Sequence, residues 1–275
     1  MKTKLLFLAF FFGILLNAQT FEVMSYNIRY ANPNDKENYW NYRKDDFSIL
    51  LNYYQPSIFS FQEVLHTQLL DIQKMLPNYD FVGVGREDGK TKGEYAPIFY
   101  NKKIWKKLKF GTFWLSQTPE KVSIGWDAAL ERICTFAELQ NIKNGKKLWV
   151  FNVHFDHQGE KARLESAKLI QSKIKSMVPK GQAFILTGDF NLDANEAPIL
   201  YLQKHYSDTF LHSNTPHYGP KGTFNAWKLD ALLETRIDYI FAQNLKILKH
   251  RHIADKRASG LWFSDHLPVL VQLSF

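Results

Sequence analysis

With 275 residues, 45% hydrophobic and 23% charged, the chain can bury the core of a large α/β domain, which excludes a disordered or low-complexity polymer. The formal charge of +8 attracts anionic partners without choosing among them. One cysteine, Cys134, excludes an intramolecular disulfide.

Lys2 and Lys4 precede an apolar run from Leu5 to Leu16, which turns polar at Asn17-Ala18-Gln19. A charged start, a short apolar run and a small residue make an export signal. Residues 1–19 are therefore expected to be removed, leaving residues 20–275 as one domain in the periplasm or outside the cell. The apolar run is too short to span a bilayer comfortably. No second long apolar run follows, so no lasting membrane insertion is expected, and a monomer is expected.

Phe21 to Ile28 reads as a strand. Tyr42 to Tyr54 carries Phe47, Leu50, Leu51 and Tyr54 at helical spacing, and Pro56 closes it. Ile58 to Phe61 is a short buried strand, Thr67 to Leu76 a helix stopped by Pro77, and Asp80 to Gly85 a strand. Four strands then follow: Tyr95 to Tyr100, Ile104 to Trp114, Arg132 to Gln140 and Lys147 to His154. In the third, Ile133, Thr135, Ala137 and Leu139 alternate with Cys134, Phe136 and Glu138, as in a strand covered on both faces. Cys134 is thus expected to be buried. Lys102, Lys103, Lys106, Lys107 and Lys109 read as a solvated, charged hairpin rather than a nucleic-acid groove.

Lys161 to Val178 is an amphipathic helix, with Leu164, Ala167, Ile170, Ile174 and Met177 on one face. Ala183 to Leu186 is a strand and Ala197 to Gln203 a short helix. Arg236 to Ala242, Leu245 to Ile253 and His266 to Phe275 are strands. Consecutive strands in the middle of the chain predict an α/β sandwich with two central sheets, not a βαβ repeat. Neither a dinucleotide fingerprint nor a Walker loop is present.

Short polar islands punctuate these strands: Ser25-Tyr26-Asn27-Ile28-Arg29, Gln62-Glu63-Val64, Asn152-Val153-His154, Gly188-Asp189-Phe190-Asn191, Arg236-Ile237-Asp238-Tyr239 and Ser264-Asp265-His266, with Glu94 and Arg132 between. Strand ends are where a scaffold gathers rigid polar groups into one cleft. Glu63, Asp265 and Asn27 offer an all-oxygen ligand set, which favours Mg²⁺ or Mn²⁺ over Zn²⁺. If the chain is extended at Asp189 and Asn191, both face one spot, where an acid can orient water and an amide can donate to an oxyanion. The competing reading is an Asx-turn. His154 and His266 are candidate donors to a phosphoryl oxygen. Asp238 is the expected partner of His266, and Glu94 of His154. His157, His205, His212, His217, His250 and His252 read as structural. Arg132 can grip a phosphate bidentately or pair with Glu131 or Glu138. Phe224 and Trp227 can stack on a base, pack a sugar or lipid headgroup, or belong to the core.

In this order the islands resemble the endonuclease/exonuclease/phosphatase superfamily over Phe21 to the C-terminus. The resemblance implies a four-layer α/β/β/α sandwich with two mixed central sheets and a site at one edge. It implies a divalent metal, Mg²⁺ or Mn²⁺, held by Glu63 with Asn27 and Asp265 close by. It assigns Asp189 to the attacking water, His154 and Asn191 to the scissile phosphate, and Asp238 to the support of His266. Glu94, Arg132 and Trp227 are expected at the substrate. The expected activity is metal-dependent phosphoester hydrolysis, with water attacking phosphorus in line and no covalent intermediate. The substrate is a phosphorylated small molecule or a nucleic acid, and a non-catalytic binding module is the alternative. Segments 85–89, 94–100 and 125–129 resemble those of small exported bacterial members.

Overall fold

The computed structural model describes residues 20–275; the expected export signal lies outside the described residues. Two mixed six-stranded sheets form its centre. The first contains β1 (Thr20–Asn27), β2 (Ile58–Gln62), β3 (Tyr79–Val82), β4 (Ile98–Asn101), β11 (Lys246–His252) and β12 (Val269–Ser274), in the order β11-β12-β1-β2-β4-β3. The second contains β5 (Trp105–Trp114), β6 (Ile133–Asn141), β7 (Lys147–His154), β8 (Ala183–Asp189), β9 (Ser207–Asp208) and β10 (Asp238–Gln243), in the order β5-β6-β7-β8-β10-β9.

The central pair of each sheet is parallel: β1 with β2, and β7 with β8. The other pairs are antiparallel. A parallel pair needs a crossover connection. α1 (Trp40–Tyr54) supplies one and α3 (Glu160–Met177) the other; α2 (His66–Met75) and α4 (Ala197–Gln203) complete the outer layers.

Three large apolar cores bind the four layers, beside a small one of Ala96, Trp114 and Ile133. Val23, Ile58, Ile98, Val150, Ile185 and Ile240 fill the space between the sheets. Met24, Tyr26, Phe47, Leu51, Phe59 and Ile72 join the first sheet to α1 and α2. Phe151, Ala167, Ile170, Phe184, Leu186 and Ile199 join the second sheet to α3 and α4. Val23 and Met24 face different cores because neighbouring strand residues point to opposite faces. Cys134 is buried in the α3 core, and that burial pushes its thiol pKa up. This is the four-layer α/β/β/α sandwich.

The differences from the sequence expectation lie at element ends. The expected strand over Asp80 to Gly85 runs from Tyr79 to Val82. Arg236 precedes β10, and Asp265 and His266 sit in the loop before β12. The two-residue β9 and a 3-10 turn over Pro33–Asn38 have too little apolar pattern to be read. The lysine segment lies largely on the edge strand β5, where Lys107 meets Asp80 at 3.7 Å and Lys109 meets Glu138 at 3.8 Å. Charges along an open edge discourage pairing with other chains. No helix among the described residues is long and apolar enough to cross a membrane.

The parallel pairs fix the site. Asn27 is in register with Gln62, and His154 with Asp189, so four strands end together at one edge. Asp238 opens β10 directly opposite Asp189. Just beneath this edge a buried amide ties the sheets together. Asn152 Nδ2 donates to Phe61 O at 2.7 Å and Pro97 O at 3.0 Å, and its Oδ1 accepts from Gln62 Nε2 at 2.7 Å.

Candidate active site

A hollow of about 440 Å³ opens at this edge; Glu63, His154, Asp189, Asn191, Asp265 and His266 contribute to its wall. A second hollow of about 490 Å³, at the opposite end of β8, includes Ile174, Phe184 and Tyr206 and gathers no comparable set of acids and imidazoles.

Asn27 links the two sheets' chemistry. Its Nδ2 donates to Glu63 Oε1 at 3.0 Å and to Asp189 Oδ2 at 2.9 Å. Its Oδ1 accepts the Arg29 N–H at 2.9 Å. Its nitrogen thus faces the acids, and its oxygen takes the Arg29 N–H.

Arg29, unassigned from the sequence, stands between the acids. It forks onto Asp35 at 2.9 and 3.1 Å, and its Nη1 lies 3.9 Å from both Glu63 Oε2 and Asp265 Oδ2. Burial works against its charge, but Asp35, Asp265 and Glu63 together hold its pKa above the ordinary value. Buried Arg43 donates to the carbonyls of Asn38, Phe263 and Arg29 and so sets this turn. Arg29 and Glu63 both have left-handed backbone, at φ 58° and 60°. Such conformations cost energy and persist only where surrounding structure enforces them.

The two imidazoles differ. His266 Nδ1 lies 2.9 Å from Asp238 Oδ2, and its Nε2 lies 3.7 Å from Asp189 Oδ2. Burial opposes charge on His266, but Asp238 and Asp189 outweigh it and raise its pKa well above the usual imidazole value. His154 goes the other way: burial, reinforced by the Arg132 charge, lowers it to about 3. Burial thus disfavours the proton on His154, whereas the neighbouring acids favour it on His266. Its 3.6 Å approaches to Glu94 and Asp189 are too long for hydrogen bonds. Glu94 is instead gripped by Arg86 at 2.8 and 3.0 Å.

Asp189 and Asn191 both line the hollow, but by way of a turn. Asn191 has φ 52°, its N–H donates to Asp189 Oδ1 at 2.9 Å, and its Nδ2 donates to Phe155 O at 3.0 Å. The extended reading of this segment fails and the Asx-turn takes its place. Arg132 is buried and pairs with Asp156 at 3.3 Å, not with Glu131 or Glu138. Its Nη2 lies 3.0 Å from His157 Nδ1. His157 lines the hollow too. Trp227 does not line the hollow; the Arg43 guanidinium lies 5.6 Å from its ring. Phe224 takes the expected aromatic place, 5.0 Å from the His266 ring.

The donor set fits a hard divalent cation. One donor atom from each of Glu63, His154 and Asp189 lies within 4.8 Å of the other two, and the same holds for Asp189, Asp238 and His266. Asp265 joins Glu63 across the Arg29 guanidinium. Burial raises the pKa of both Asp189 and Asp265, so ionising these crowded acids is costly, and a cation beside them would relieve the cost. Glu63 and Asp265 present the oxygen ligands that Mg²⁺ or Mn²⁺ prefers.

A model of the Endonuclease/Exonuclease/phosphatase family matches residues 24–266, a span that holds every acid and imidazole just described. The chain belongs to that family. It has the family's hydrolase fold. An endonuclease/exonuclease/phosphatase family protein from Bacteroides thetaiotaomicron is 37% identical, with a TM-score of 0.89 over 94% of this chain and 98% of that one. A mannosyl-6-phosphatase from Bacteroides thetaiotaomicron VPI-5482 is also 37% identical, with a TM-score of 0.88 over 93% of this chain and all of that one. An uncharacterised protein of Acanthamoeba polyphaga mimivirus is 35% identical over 161 residues. That match takes in 56% of this chain and spans only 60% of the viral protein.

Proposed function

We propose that the protein is a divalent-metal-dependent phosphomonoesterase acting on a small phosphorylated sugar. The convergence of Asn27, Glu63, His154, Asp189, Asp238 and His266 on one sheet edge carries the hydrolase part of this reading. Asp189 orients the attacking water. Its oxygens accept from Asn27 and Asn191, and each carboxylate oxygen keeps a further lone pair for water. His266, held cationic by Asp238, balances charge on the phosphoryl oxygens as the transition state forms. His154 and the remaining amide hydrogen of Asn191 hold the phosphate in line with that water. A cation at Glu63 and Asp265 would add Lewis-acid polarisation of the phosphoryl oxygens. Attack is direct, without a covalent intermediate.

The sugar part rests on the far wall. Arg132, His157 and Glu94, which Arg86 grips from behind, line the hollow with donors and acceptors that suit hydroxyl groups. The mannosyl-6-phosphatase likeness, over nearly the whole of both chains, supports the same substrate class. The test is one panel: purified protein with Mg²⁺ or Mn²⁺ against hexose phosphates, inositol phosphates, plasmid DNA, RNA and a nitrophenyl diester. Phosphate release from hexose monophosphates supports the proposal. Cleavage of polymers alone selects a nuclease, and inactivity throughout selects a binding module.

A further inference from the structure

Away from the hollow, His250 and His252 stand on the same face of β11, and His217 comes up against them from the preceding loop. One ring nitrogen from each of the three lies within 4.8 Å of the others. The Pro220 carbonyl accepts from His217 Nε2 at 2.9 Å and from His252 Nδ1 at 2.8 Å. These bonds fix both tautomers, leaving His217 Nδ1 and His252 Nε2 without protons. His252 is 1% exposed, and its Nε2 is buried with no partner. His250 Nδ1 lies 2.9 Å from the bare His217 Nδ1, so His250 supplies the proton of that contact. Moving that proton to Nε2 would leave a third bare nitrogen.

We propose that His217, His250 and His252 form a second metal site, for a Zn²⁺-class ion, which fastens the segment from His217 to Phe224 onto β11. Three imidazoles with no carboxylate or thiolate suit Zn²⁺ or Co²⁺ and not Mg²⁺. A carbonyl that holds the far nitrogen of two of the ligands, His217 and His252, is the arrangement that orients metal-bound histidines. Burial lowers the pKa of all three rings, so protons do not compete for them at neutral pH. Arg236, the cation whose charge acts on all three rings, is paired with Asp208 at 2.8 and 3.0 Å, and Phe210 packs between it and the rings. His217 is the partly exposed member, so solvent and ion enter from its side.

The fastened segment leads to the active site. Gly219 lies so close to β11 that an added Cβ would sit 2.1 Å from His252 O. Four residues on, Thr223 Oγ1 accepts the N–H groups of Ile237 and Asp238 at 3.1 and 3.2 Å, and Phe224 lies against His266. The ion's role is to brace these contacts.

The test is Co²⁺ and Zn²⁺ titration of the purified protein with saturating Mg²⁺, on the parent, His217→Gln, His252→Gln and Glu63→Gln. One Co²⁺ per chain should bind with the intense visible bands of a four-coordinate site of three nitrogens and a water. Glu63→Gln should keep those bands, and either histidine variant should weaken Zn²⁺ at least about 100-fold. His217→Gln removes only the partly exposed ligand, and its fold is checked by circular dichroism. Zn²⁺ should slow amide exchange over residues 217–224 in the parent and not in His217→Gln. Absence of Zn²⁺ uptake by the parent, or uptake and exchange unchanged in folded His217→Gln, would overturn the site.

Discussion

Asn27 and Asp189 are 162 residues apart in the chain, yet the amide of one donates to the carboxylate of the other at 2.9 Å. One ends the parallel strand β1 and the other ends β8, in the opposite sheet. The site is therefore a product of sheet packing, and its precision depends on how firmly the sheets are joined.

The join itself can be tested. Asn152→Leu removes the side-chain donor to Phe61 O and one of the partners of Pro97 O and of Gln62 Nε2, which keep bonds to the Phe61 N–H and to Ser25 and Ser60. Each buried polar group left unmatched costs about 1–3 kcal/mol. The expected result is a loss of at least about 2 kcal/mol in denaturant unfolding, with lower kcat in the folded fraction. A denaturation midpoint equal to the parent's would show that the amide holds nothing together.

The Asp238–His266 pair predicts the alkaline side of the pH profile. His266 has its folded-state pKa raised, so its contribution to stability is complete below the unfolded imidazole value. It is lost as pH rises through the raised value. Activity that needs the imidazolium falls over that same limb. Asp238→Asn removes the largest of the charges that hold the proton, so the limb should move to lower pH in kcat/KM. Superimposable alkaline limbs would assign the titration to another group.

Glu63 should govern the metal requirement. Changing an outer partner of a metal ligand typically costs ~10–100-fold in affinity, and Glu63→Gln alters a direct ligand. Half-maximal activation should need more than about 100-fold higher Mg²⁺. An unchanged Mg²⁺ titration would remove Glu63 from the metal.

Arg86, behind Glu94, tests the sugar subsite. It grips Glu94 with both nitrogens, and its loss frees that acid beside His154. Arg86→Ala should raise KM for hexose phosphates several-fold more than KM for nitrophenyl phosphate, which carries no sugar hydroxyls. Equal effects on the two esters would argue against a sugar subsite.

Much of the fold was legible because strand and helix periods are local. Lys147–His154 and Ala197–Gln203 have the ends that the sequence predicted, and the polar islands marked the strand ends. What escaped depends on partners distant in sequence. Arg132 has acids beside it at Glu131 and Glu138 but chooses Asp156, because the loop after β7 brings that acid underneath. Asn191 alternates with Asp189 as a strand residue would, and its left-handed φ and its N–H bond to the Asp189 carboxylate show the turn. An Asn two residues past an Asp was the available signal, since both tolerate such turns. Arg29 lay within a recognised island, yet nothing local showed that it would stand between Glu63 and Asp265. The histidine trio was split between a loop and an alternating strand, where each member alone looked structural.

Steady-state phosphate release by Asp189→Asn measures the central claim most directly, since the change keeps the shape and removes the acid that orients water. The account predicts that kcat on a hexose monophosphate with Mg²⁺ falls ~10²–10⁴-fold while the thermal unfolding midpoint stays at or above the parent's. A folded variant that turns over at the parent's rate would contradict it.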